Sequence, residues 1–442
     1  MSQLIKIHGL GSSGEGVGKL GELIIFVEGA LPSEEVLAEI VTAKKNYAVG
    51  RLVEVVKASS ERVKPFCPLY KDCGGCQLQH LSYPAQLKWK RQQVVDAVER
   101  IGKISGVEVF ETLGMENPLR YRNKMQFPVG KDLKIGCYAR GSHRIIDTQS
   151  CLIQNVGNDK ILNAVRRVAK KFQLQPYDED THKGFLRHVM GRVGSNGELM
   201  IVLVTATKNF PNEKNFVRAL LKELPEVTSI QQNVQTFHNN VILGRDTKIL
   251  YGKATIHDTI GKLRFNISAR SFFQVNTAQA EVLYKTALDF ADLEGGEIVI
   301  DAYCGTGTIG LFFAKKAHRV YGTEIVSSAI ADAKKNAREN NIRNIEFFVG
   351  DAVKIIPQLA KSINFPDVII TDPPRAGCDK KVLQTFADMQ PRKIIYVSCN
   401  PATLARDLNI LSTLGYHTKK IQPVDMFPFT SHVESVAQLL KI

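Results

Sequence analysis

A cysteine and a glutamate in the C-terminal part of the sequence are the side chains best suited to covalent chemistry. Cys399 directly follows an apolar run, and Glu434 lies further along in a His-Val-Glu-Ser motif. A thiol can act as a nucleophile once it ionises, and a carboxylate can remove a proton. A cysteine placed directly after a strand is also commonly just a small buried residue. The motifs upstream must therefore decide between these interpretations.

A glycine-containing turn lies upstream of this pair. The apolar run Ile298–Ile300 leads into Asp301, and three glycines follow between residues 305 and 310. In open α/β sheets ligands bind outside the carboxyl ends of the strands, and glycine lets them approach the backbone closely. The glycine spacing also suits a dinucleotide, so a nicotinamide-dependent redox enzyme remains an alternative. Asp301 before the first glycine is instead typical of class I methyltransferases.

A stiff acidic loop, Asp372-Pro373-Pro374, follows a later apolar run. Both prolines have a fixed φ, so the loop is rigid. The motif could be a simple turn, but methyltransferases that act on planar bases commonly carry it at this position, and nicotinamide enzymes have no need of it. A methyl donor site together with a thiol and a base indicates methylation of a pyrimidine carbon.

The elements that must position these groups alternate between short apolar runs and helical stretches from about residue 270 onward. This alternation predicts a doubly wound α/β sheet. A helix is expected at Ser327–Asn341 and another from Thr308. The predicted strands are Ile298–Ile300, Arg319–Gly322, Ile345–Val349, Val368–Thr371 and Lys393–Val397.

The first sixty residues read as short strands separated by glycines, which predicts a small β-barrel. Lys44 and Lys45 beside Tyr47 would suit an RNA backbone and a stacked base, or would serve equally as a solvated turn. The predicted strands are Ile5–His8, Leu23–Val27, Glu35–Val41 and Gly50–Val56.

Residues 61 to about 270 form a β-rich middle segment. It contains a helix predicted from Tyr83 to about Ile101, with apolar residues at helical spacing. Basic residues crowd Arg120–Lys124 and Arg140–Arg144. The predicted strands are Met125–Val129, Lys134–Tyr138, Leu199–Val204 and Ser229–Val234.

Three clustered cysteines open this middle segment. Cys67, Cys73 and Cys76 have the spacing C-x5-C-x2-C, and either Cys137 or Cys151 could supply a fourth ligand. Structural zinc, an iron–sulfur cluster or no metal at all are each compatible with this pattern. The spacing is not that of radical enzymes, and a structural or RNA-contacting role is expected.

Bulk composition limits the partners and the compartment. Lysine and arginine outnumber the acidic residues by 58 to 44, a net charge of +14 that predicts a polyanionic partner. No apolar run reaches the roughly 20 residues of a membrane span. The sequence shows no secretory signal, so we expect a cytoplasmic protein without disulfides or a membrane partner.

Taken in order, these motifs closely resemble those of the RNA uracil-5-methyltransferase family. The resemblance implies an α/β fold with a C-terminal Rossmann-like class I methyltransferase domain, an N-terminal OB-like TRAM barrel and a β-rich central domain with an iron–sulfur cluster. The expected domains are residues 1–60 (TRAM), 61–270 (central, RNA-binding) and 271–442 (catalytic). The helix at about 84–101 is expected to pack on the catalytic domain.

The resemblance also implies the roles of the reacting side chains. Cys399 would add to carbon 6 of uracil, so that carbon 5 becomes nucleophilic enough to take the methyl group of S-adenosyl-L-methionine. Glu434 would then remove the proton from carbon 5, which allows the thiol to leave. Cofactor contacts are expected from Gln274, Tyr303, Glu324, Asp372 and Asp351. Tyr303 stands where many relatives have Phe, and Thr308 where some have Asn.

For the cysteines the resemblance implies a [4Fe-4S] cluster held by Cys67, Cys73, Cys76 and Cys151, with Cys137 in the core. Family members with both a TRAM domain and these cysteines mostly act on 23S ribosomal RNA, so we expect a monomeric enzyme for that RNA. Methylation of the tRNA T-loop is the alternative. A non-catalytic RNA-binding assembly factor is an alternative of another class, which the intact Cys399 and Glu434 disfavour.

Overall fold

The structure is a computed structural model that describes residues 2–361 and 365–442. It consists of a small barrel, a middle sheet covered by helices, and a larger C-terminal sheet. Among the described residues, no helix combines the length and the apolar composition needed to cross a membrane.

The N-terminal strands close into a five-stranded barrel with the order β1-β2-β3-β5-β4, which confirms the predicted small barrel. Alternate residues such as Ile5, Ile25 and Val36 point inward and form its core. Lys44 lies over the ring of Tyr47 at 5.5 Å. The strands are β1 (Ser2–Leu10), β2 (Gly16–Leu20), β3 (Leu23–Glu28), β4 (Glu35–Ala43) and β5 (Tyr47–Lys57).

The middle part of the chain begins with the cysteine-bearing loop and a long helix, and continues into a sheet with the order β12-β11-β10-β9-β7-β8. Two helices, α2 and α3, cover one face of that sheet and bury its apolar side chains. The helices are α1 (Tyr83–Arg100), α2 (Val156–Lys171) and α3 (Glu213–Glu223). The strands are β6 (Glu108–Val109), β7 (Lys124–Gly130), β8 (Lys134–Ile135), β9 (Leu186–Val193), β10 (Leu199–Thr205), β11 (Val227–Val234) and β12 (Asp246–Gly252).

A hairpin and a helix lead from the middle sheet to the C-terminal sheet. The hairpin consists of β13 (Thr255–Ile260) and β14 (Leu263–Ser268), and the helix is α4 (Thr277–Ala291). Both pack into the apolar cluster that also covers one face of the C-terminal sheet.

The C-terminal sheet has the order β17-β16-β15-β18-β19-β21-β20-β6 within the described residues. Its first five strands are parallel, and β21 lies antiparallel between β19 and β20. This α/β arrangement confirms the predicted fold class. The strands are β15 (Ile298–Ala302), β16 (Arg319–Glu324), β17 (Ile345–Val349), β18 (Val368–Thr371), β19 (Lys393–Ser398), β20 (Tyr416–Val424) and β21 (Glu434–Lys441). The helices are α5 (Thr308–Phe313), α6 (Ser327–Glu339), α7 (Ala352–Ala360), α8 (Lys380–Asp388) and α9 (Pro401–Thr413).

The strand predicted through Tyr138 is wrong beyond Ile135. A side chain at Gly136 would lie 2.0 Å from the carbonyl oxygen of Ile146, so the two backbones cross closely there. The chain then turns toward the cysteine-bearing loop, where Cys73 pairs with Ala139. Cys137 therefore does not lie inside a β-strand.

The middle part of the sequence also contributes to the C-terminal sheet. β6 pairs in parallel with the outer edge of β20, and α1 packs on α9. At the end of α1, a side chain at Gly102 would lie 3.1 Å from the carbonyl oxygen of Ala405, so the backbone there lies close to the backbone of α9. The domain bounds at residues 60 and 270 stay predictions.

Candidate active site

Sheet register brings Cys399 and Glu434 together. Ser398 at the end of β19 pairs with Ser435 near the start of β21, and the two strands are antiparallel. Cys399, one residue after Ser398, is therefore a neighbour of Glu434, one residue before Ser435. Both side chains line one cavity of about 1460 Å³.

The turn that carries Cys399 is shaped by the residues after it. The Asn400 side chain accepts a hydrogen bond from the amide of Ala402 at 3.1 Å and so caps α9. Its amide nitrogen donates to the carbonyl of Arg375 at 3.2 Å, which ties the turn to the Asp-Pro-Pro loop. Pro401 is the first residue of α9, where its fixed φ suits a helix start. Cys399 thus lies at the positive end of a helix, which favours its ionised form.

The environment of Cys399 nevertheless opposes ionisation. Burial, followed by the nearby carboxyls of Glu434 and Asp372, raises the pKa of its thiol to about 11. Arg375 is the cation that lowers this pKa. The sequence did not identify this side chain as a helper, although it stands directly after the Asp-Pro-Pro motif.

Glu434 is buried, with 5 % of the residue exposed. Burial, followed by the charge of Asp372, raises its pKa to about 8. Burial likewise raises the pKa of Asp372 to about 7. Carboxyls that titrate near neutral pH are suited to proton transfer, because each can both take up and release a proton.

The glycine turn after β15 forms another wall of the same cavity. Asp301 accepts a hydrogen bond from the amide of Gly310 at 2.8 Å, which fixes the start of α5. Its other oxygen, Oδ1, is buried and has no hydrogen-bond partner within residues 2–361 and 365–442. Burial raises the pKa of this carboxyl to about 8. An unpaired buried oxygen indicates that a ligand with a donor group completes this site.

Glu324 ends β16 and faces the glycine turn. It accepts hydrogen bonds from the amides of Gly305 at 3.2 Å and Val326 at 2.9 Å. The side chains of Ile325 and Val326 beside it are 70 % and 50 % exposed and also line the cavity. A carboxylate next to exposed apolar side chains fits a ribose and an adenine ring.

Tyr303 lines the cavity through a strained backbone, since its φ of 64° lies in the left-handed region. Its hydroxyl is hydrogen-bonded to the thiol of Cys378, and burial raises the pKa of the phenol. The side chain thus contacts the segment that follows the Asp-Pro-Pro loop.

Gln274 lies between the middle sheet and α4. Asn123 donates to its carbonyl at 3.1 Å, and its side chain is hydrogen-bonded to the hydroxyl of Tyr284. That hydroxyl also lies 3.1 Å from Thr308 Oγ1, so Thr308 does have a polar partner. Tyr284 also lines the cavity, and the sequence carries no signal for it because a tyrosine inside a helix belongs to no motif.

Asp351 is placed differently from the other expected cofactor residues. Its carboxylate accepts a hydrogen bond from the amide of Val353 at 3.0 Å and caps α7. It does not line the cavity that contains Glu324 and Cys399. Its contact with the cofactor stays a prediction.

Five cysteines also line this cavity: Cys67, Cys73, Cys76, Cys137 and Cys151. Burial raises the pKa of Cys76 to about 12 and that of Cys151 to about 11. A hydrogen bond from Cys137 lowers the pKa of Cys73 to about 6. Cys137 packs partly on the core of the middle sheet, but its sulfur faces Cys73.

The cysteine-bearing loop is held by Arg140, one member of the predicted basic cluster. Its guanidinium donates to the carbonyls of Cys76 at 2.9 Å and Tyr70 at 3.3 Å, and it forms an ion pair with Glu28 of the barrel. The described part of the chain contains no group of three His, Cys, Asp or Glu side chains close enough to hold one metal ion. Thiol donors are nevertheless the ligands that an iron–sulfur cluster uses.

The sheet order and the cavity at its carboxyl edge define a class I methyltransferase. A sequence model of the tRNA (uracil-5-)-methyltransferase family matches residues 218–442, and a model of the TRAM domain matches residues 2–53. The chain therefore belongs to the RNA uracil-5-methyltransferase family, as its motifs predicted. It is an S-adenosyl-L-methionine-dependent enzyme that acts on RNA.

Similar proteins match over almost the whole chain. An RNA methyltransferase of Clostridium tetani is 52% identical over 434 residues, which is 97% of this chain and 94% of that protein. An RNA methyltransferase of Halalkalibacterium halodurans is 51% identical over 439 residues, 98% of this chain and 96% of that protein. The crystal structure of Pyrococcus abyssi tRNA (uracil-54, C5)-methyltransferase with S-adenosyl-L-homocysteine is 30% identical, with a TM-score of 0.81 and full coverage of both chains.

Proposed function

We propose that this enzyme methylates carbon 5 of a uridine in 23S ribosomal RNA through a covalent intermediate with Cys399. The observation that carries the proposal is the pairing of Ser398 with Ser435, which makes the thiol and Glu434 neighbours in one cavity. A binding factor without catalysis would have no need of a nucleophile and a base in this arrangement. The enzyme acts as a monomer in the cytoplasm.

Cys399 and Glu434 act in sequence. The Cys399 thiolate forms a bond to carbon 6 of uracil, and the electron pair of the carbon 5–carbon 6 double bond moves into an enolate. Carbon 5 thereby becomes nucleophilic. After carbon 5 is methylated, Glu434 takes its remaining ring proton. The double bond forms again, and the carbon 6–sulfur bond breaks to release the thiolate.

The methyl donor S-adenosyl-L-methionine supplies an electrophilic methyl group on a positively charged sulfur. The residues that bind this donor are Gln274, Tyr303, Glu324, Asp372 and Asp351. The unpaired oxygen of Asp301 supports a contact at the same site. The carboxyls of Asp301, Asp372 and Glu434 have raised pKa values. The positive charge of the donor's sulfur, bound among them, would favour their ionised forms. The ionised form of Glu434 is the one that can act as the base.

Cys67, Cys73, Cys76 and Cys151 hold a [4Fe-4S] cluster, for which their common lining of one cavity is the support. The role of the cluster is structural, because methyl transfer needs no electron. It lies in a central domain of residues 61–270, between a barrel of residues 1–60 and a catalytic domain of residues 271–442. Anaerobic purification with iron and sulfide assays tests this proposal. Stoichiometric zinc without iron would contradict it. Cys304→Ser is a control that should keep its iron and sulfide, because that buried thiol is not a ligand.

Two variants test the covalent mechanism. Cys399→Ala should abolish methylation but retain binding of RNA and cofactor, because only the nucleophile is removed. Glu434→Gln should instead accumulate a covalent protein–RNA complex that survives a denaturing gel. Turnover by Cys399→Ala would refute the proposed mechanism.

A second candidate substrate is the T-loop of tRNA. The similarity to the Pyrococcus abyssi enzyme, which is a tRNA (uracil-54, C5)-methyltransferase, favours it. Mass-spectrometric mapping of 5-methyluridine in rRNA and tRNA from a deletion strain distinguishes the two substrates. Loss from 23S rRNA alone supports the first, and loss from tRNA alone supports the second.

A further inference from the structure

One face of α1 is polar although it is turned toward protein. Tyr83, Gln86, Lys90 and Gln93 recur at intervals of three or four residues, so they form one stripe along the helix. Gln86 and Lys90 are fully buried, which is uncommon for these residue types. Buried polar groups need partners, and all four find them in one segment, residues 425–431, which joins β20 to β21.

The strongest of these contacts is an ion pair. Lys90 Nζ lies 2.5 Å from Asp425 Oδ1, and neither side chain is exposed to solvent. Lys90 also donates to the carbonyl of Phe427 at 3.1 Å, and the Tyr83 hydroxyl donates to Asp425 Oδ2 at 2.9 Å. A buried charge that loses its partner is strongly destabilised, so each member of this pair requires the other.

Gln86 holds the most strained residue of the segment. Phe429 has a φ of 66°, a conformation that costs energy for any residue with a side chain. Its amide donates to Gln86 Oε1 at 3.1 Å, and its carbonyl accepts from the amides of Gln77 and Leu78 at 3.0 Å. These contacts fix a backbone conformation that Phe429 would not adopt by itself.

The last contact lies nearest to the reacting groups. Gln93 donates to the carbonyl of Ser431 at 3.4 Å, and Glu434 follows three residues later as the first residue of β21. α4 holds only the start of the segment, where Asn276 and Gln279 donate to the carbonyls of Met426 and Asp425. Tyr121 donates to the carbonyl of Pro428 at 3.1 Å, but among the helices of the described residues α1 is the one with hydrogen bonds to both Asp425 and Ser431.

We infer that the polar face of α1 positions the catalytic base, by fixing the segment that delivers Glu434 to its place beside Cys399. The inference rests on the role proposed above for Glu434. Tyr83, Gln86, Lys90 and Gln93 are positioning residues, because they act through this segment and do not reach the substrate. A helix from the middle of the sequence thereby controls the last step of the reaction.

Lys90→Met tests this inference, with Lys88→Met as the matched control on the exposed side of the same helix. A small displacement of a catalytic group can cost about 100-fold in rate, so we expect kcat to fall by about that factor with no rise in the KM for RNA or cofactor. Because the base acts after bond formation, the covalent protein–RNA complex should accumulate during turnover. Simple unfolding would lower both turnover and complex.

Two further variants keep the test decisive if Lys90→Met fails to fold. Lys90→Met/Asp425→Asn removes both charges, and Gln93→Ala leaves the ion pair intact. Both should still accumulate the covalent complex, Gln93→Ala to a smaller extent. Complex levels equal to those of Lys88→Met in these variants would overturn the inference.

Glu434→Gln, measured in parallel, separates this inference from the proposed function. If Glu434→Gln traps no complex, the role of Glu434 fails and the inference fails with it. If Glu434→Gln traps complex but the α1 variants do not, the inference alone is wrong. If all of them trap complex, the inference is supported.

Discussion

The Cys399 thiol should be unreactive in the cofactor-free enzyme, because only the ionised form reacts with alkylating agents. Its pKa of about 11 compares with an ordinary value of 9.0. At about pH 8, one thiol in roughly 1000 is then ionised, against about one in ten for an ordinary cysteine. Iodoacetamide should therefore modify Cys399 about 100-fold more slowly than an exposed cysteine.

Two substitutions should move this rate in opposite directions. Glu434→Gln removes the negative charge that ranks next to burial in raising the pKa of Cys399, so alkylation should become faster. Burial persists in this variant, so the gain stays below the roughly 100-fold that a full return to the ordinary pKa would give. Arg375→Gln removes the cation that lowers the pKa, so alkylation should become slower. Glu99→Gln, on the exposed end of α1, should change nothing.

The rate is measured by mass spectrometry of the peptide that contains Cys399, because the chain has eight cysteines. The alkylation rate is measured at a series of pH values around about 8. It should rise about tenfold per pH unit, because the ionised fraction of the thiol does. The reasoning is refuted if Cys399 in the wild-type enzyme reacts as fast as an exposed thiol. It is also refuted if Glu434→Gln leaves the rate unchanged.

Further predictions concern stability and cofactor binding. The pKa of Glu434 rises from 4.5 to about 8 on folding, so the native state binds more protons and stability falls as pH rises through this range. Glu434→Gln should therefore raise Tm in thermal melts at about pH 8 but not at about pH 4. Gly377→Ala should lower the free energy of unfolding by about 1–3 kcal/mol in denaturant titrations. The reason is that φ is 79° at this position and the new side chain would lie 2.6 Å from Arg406 and Asp407. Gly296→Ala is the control, because a side chain there has free space and should leave stability unchanged. Tyr284→Phe should weaken cofactor binding about fivefold in calorimetry, since it removes the hydrogen bond of about 1 kcal/mol that holds the side chain of Gln274, a proposed cofactor contact; unchanged affinity would exclude a role for that hydroxyl.

The sequence predicted the parallel part of the C-terminal sheet well, because its central strands β15, β18 and β19 contain short, continuous apolar runs, each followed by a functional motif. Asp301, Glu324 and Asp372 follow from this pattern, since the carboxyl ends of parallel strands meet at one edge of a sheet. Cys399 follows for the same reason. The barrel was predictable from its alternating strands and glycine corners.

The position of Glu434 could not be derived from local patterns. It depends on β21 inserting antiparallel beside β19, and the register of two strands distant in sequence leaves no local signal. The resemblance to known enzymes supplied the role of Glu434 instead. Tyr284 and Arg375 were missed because a single side chain on a helix or loop has no spacing to recognise.

The polar stripe of α1 was also overlooked, for a different reason. Leu87, Val94, Val95 and Val98 have the spacing of an ordinary amphipathic helix, in which polar residues are expected to face solvent. Gln86 and Lys90 are instead buried, because their partners come from the far end of the chain. Amphipathic pattern therefore predicted the helix correctly but not which surface it covers.

The distance in sequence between Lys90 and its partner has a consequence for synthesis. The two residues are 335 positions apart, so α1 emerges from the ribosome long before Asp425 exists. The barrel can fold early, since domains generally fold in the order in which they are made. α1 must meanwhile keep its polar face in water until β20 and β21 are complete. With Glu434 as the proposed base, methylation requires a chain whose translation has passed residue 434.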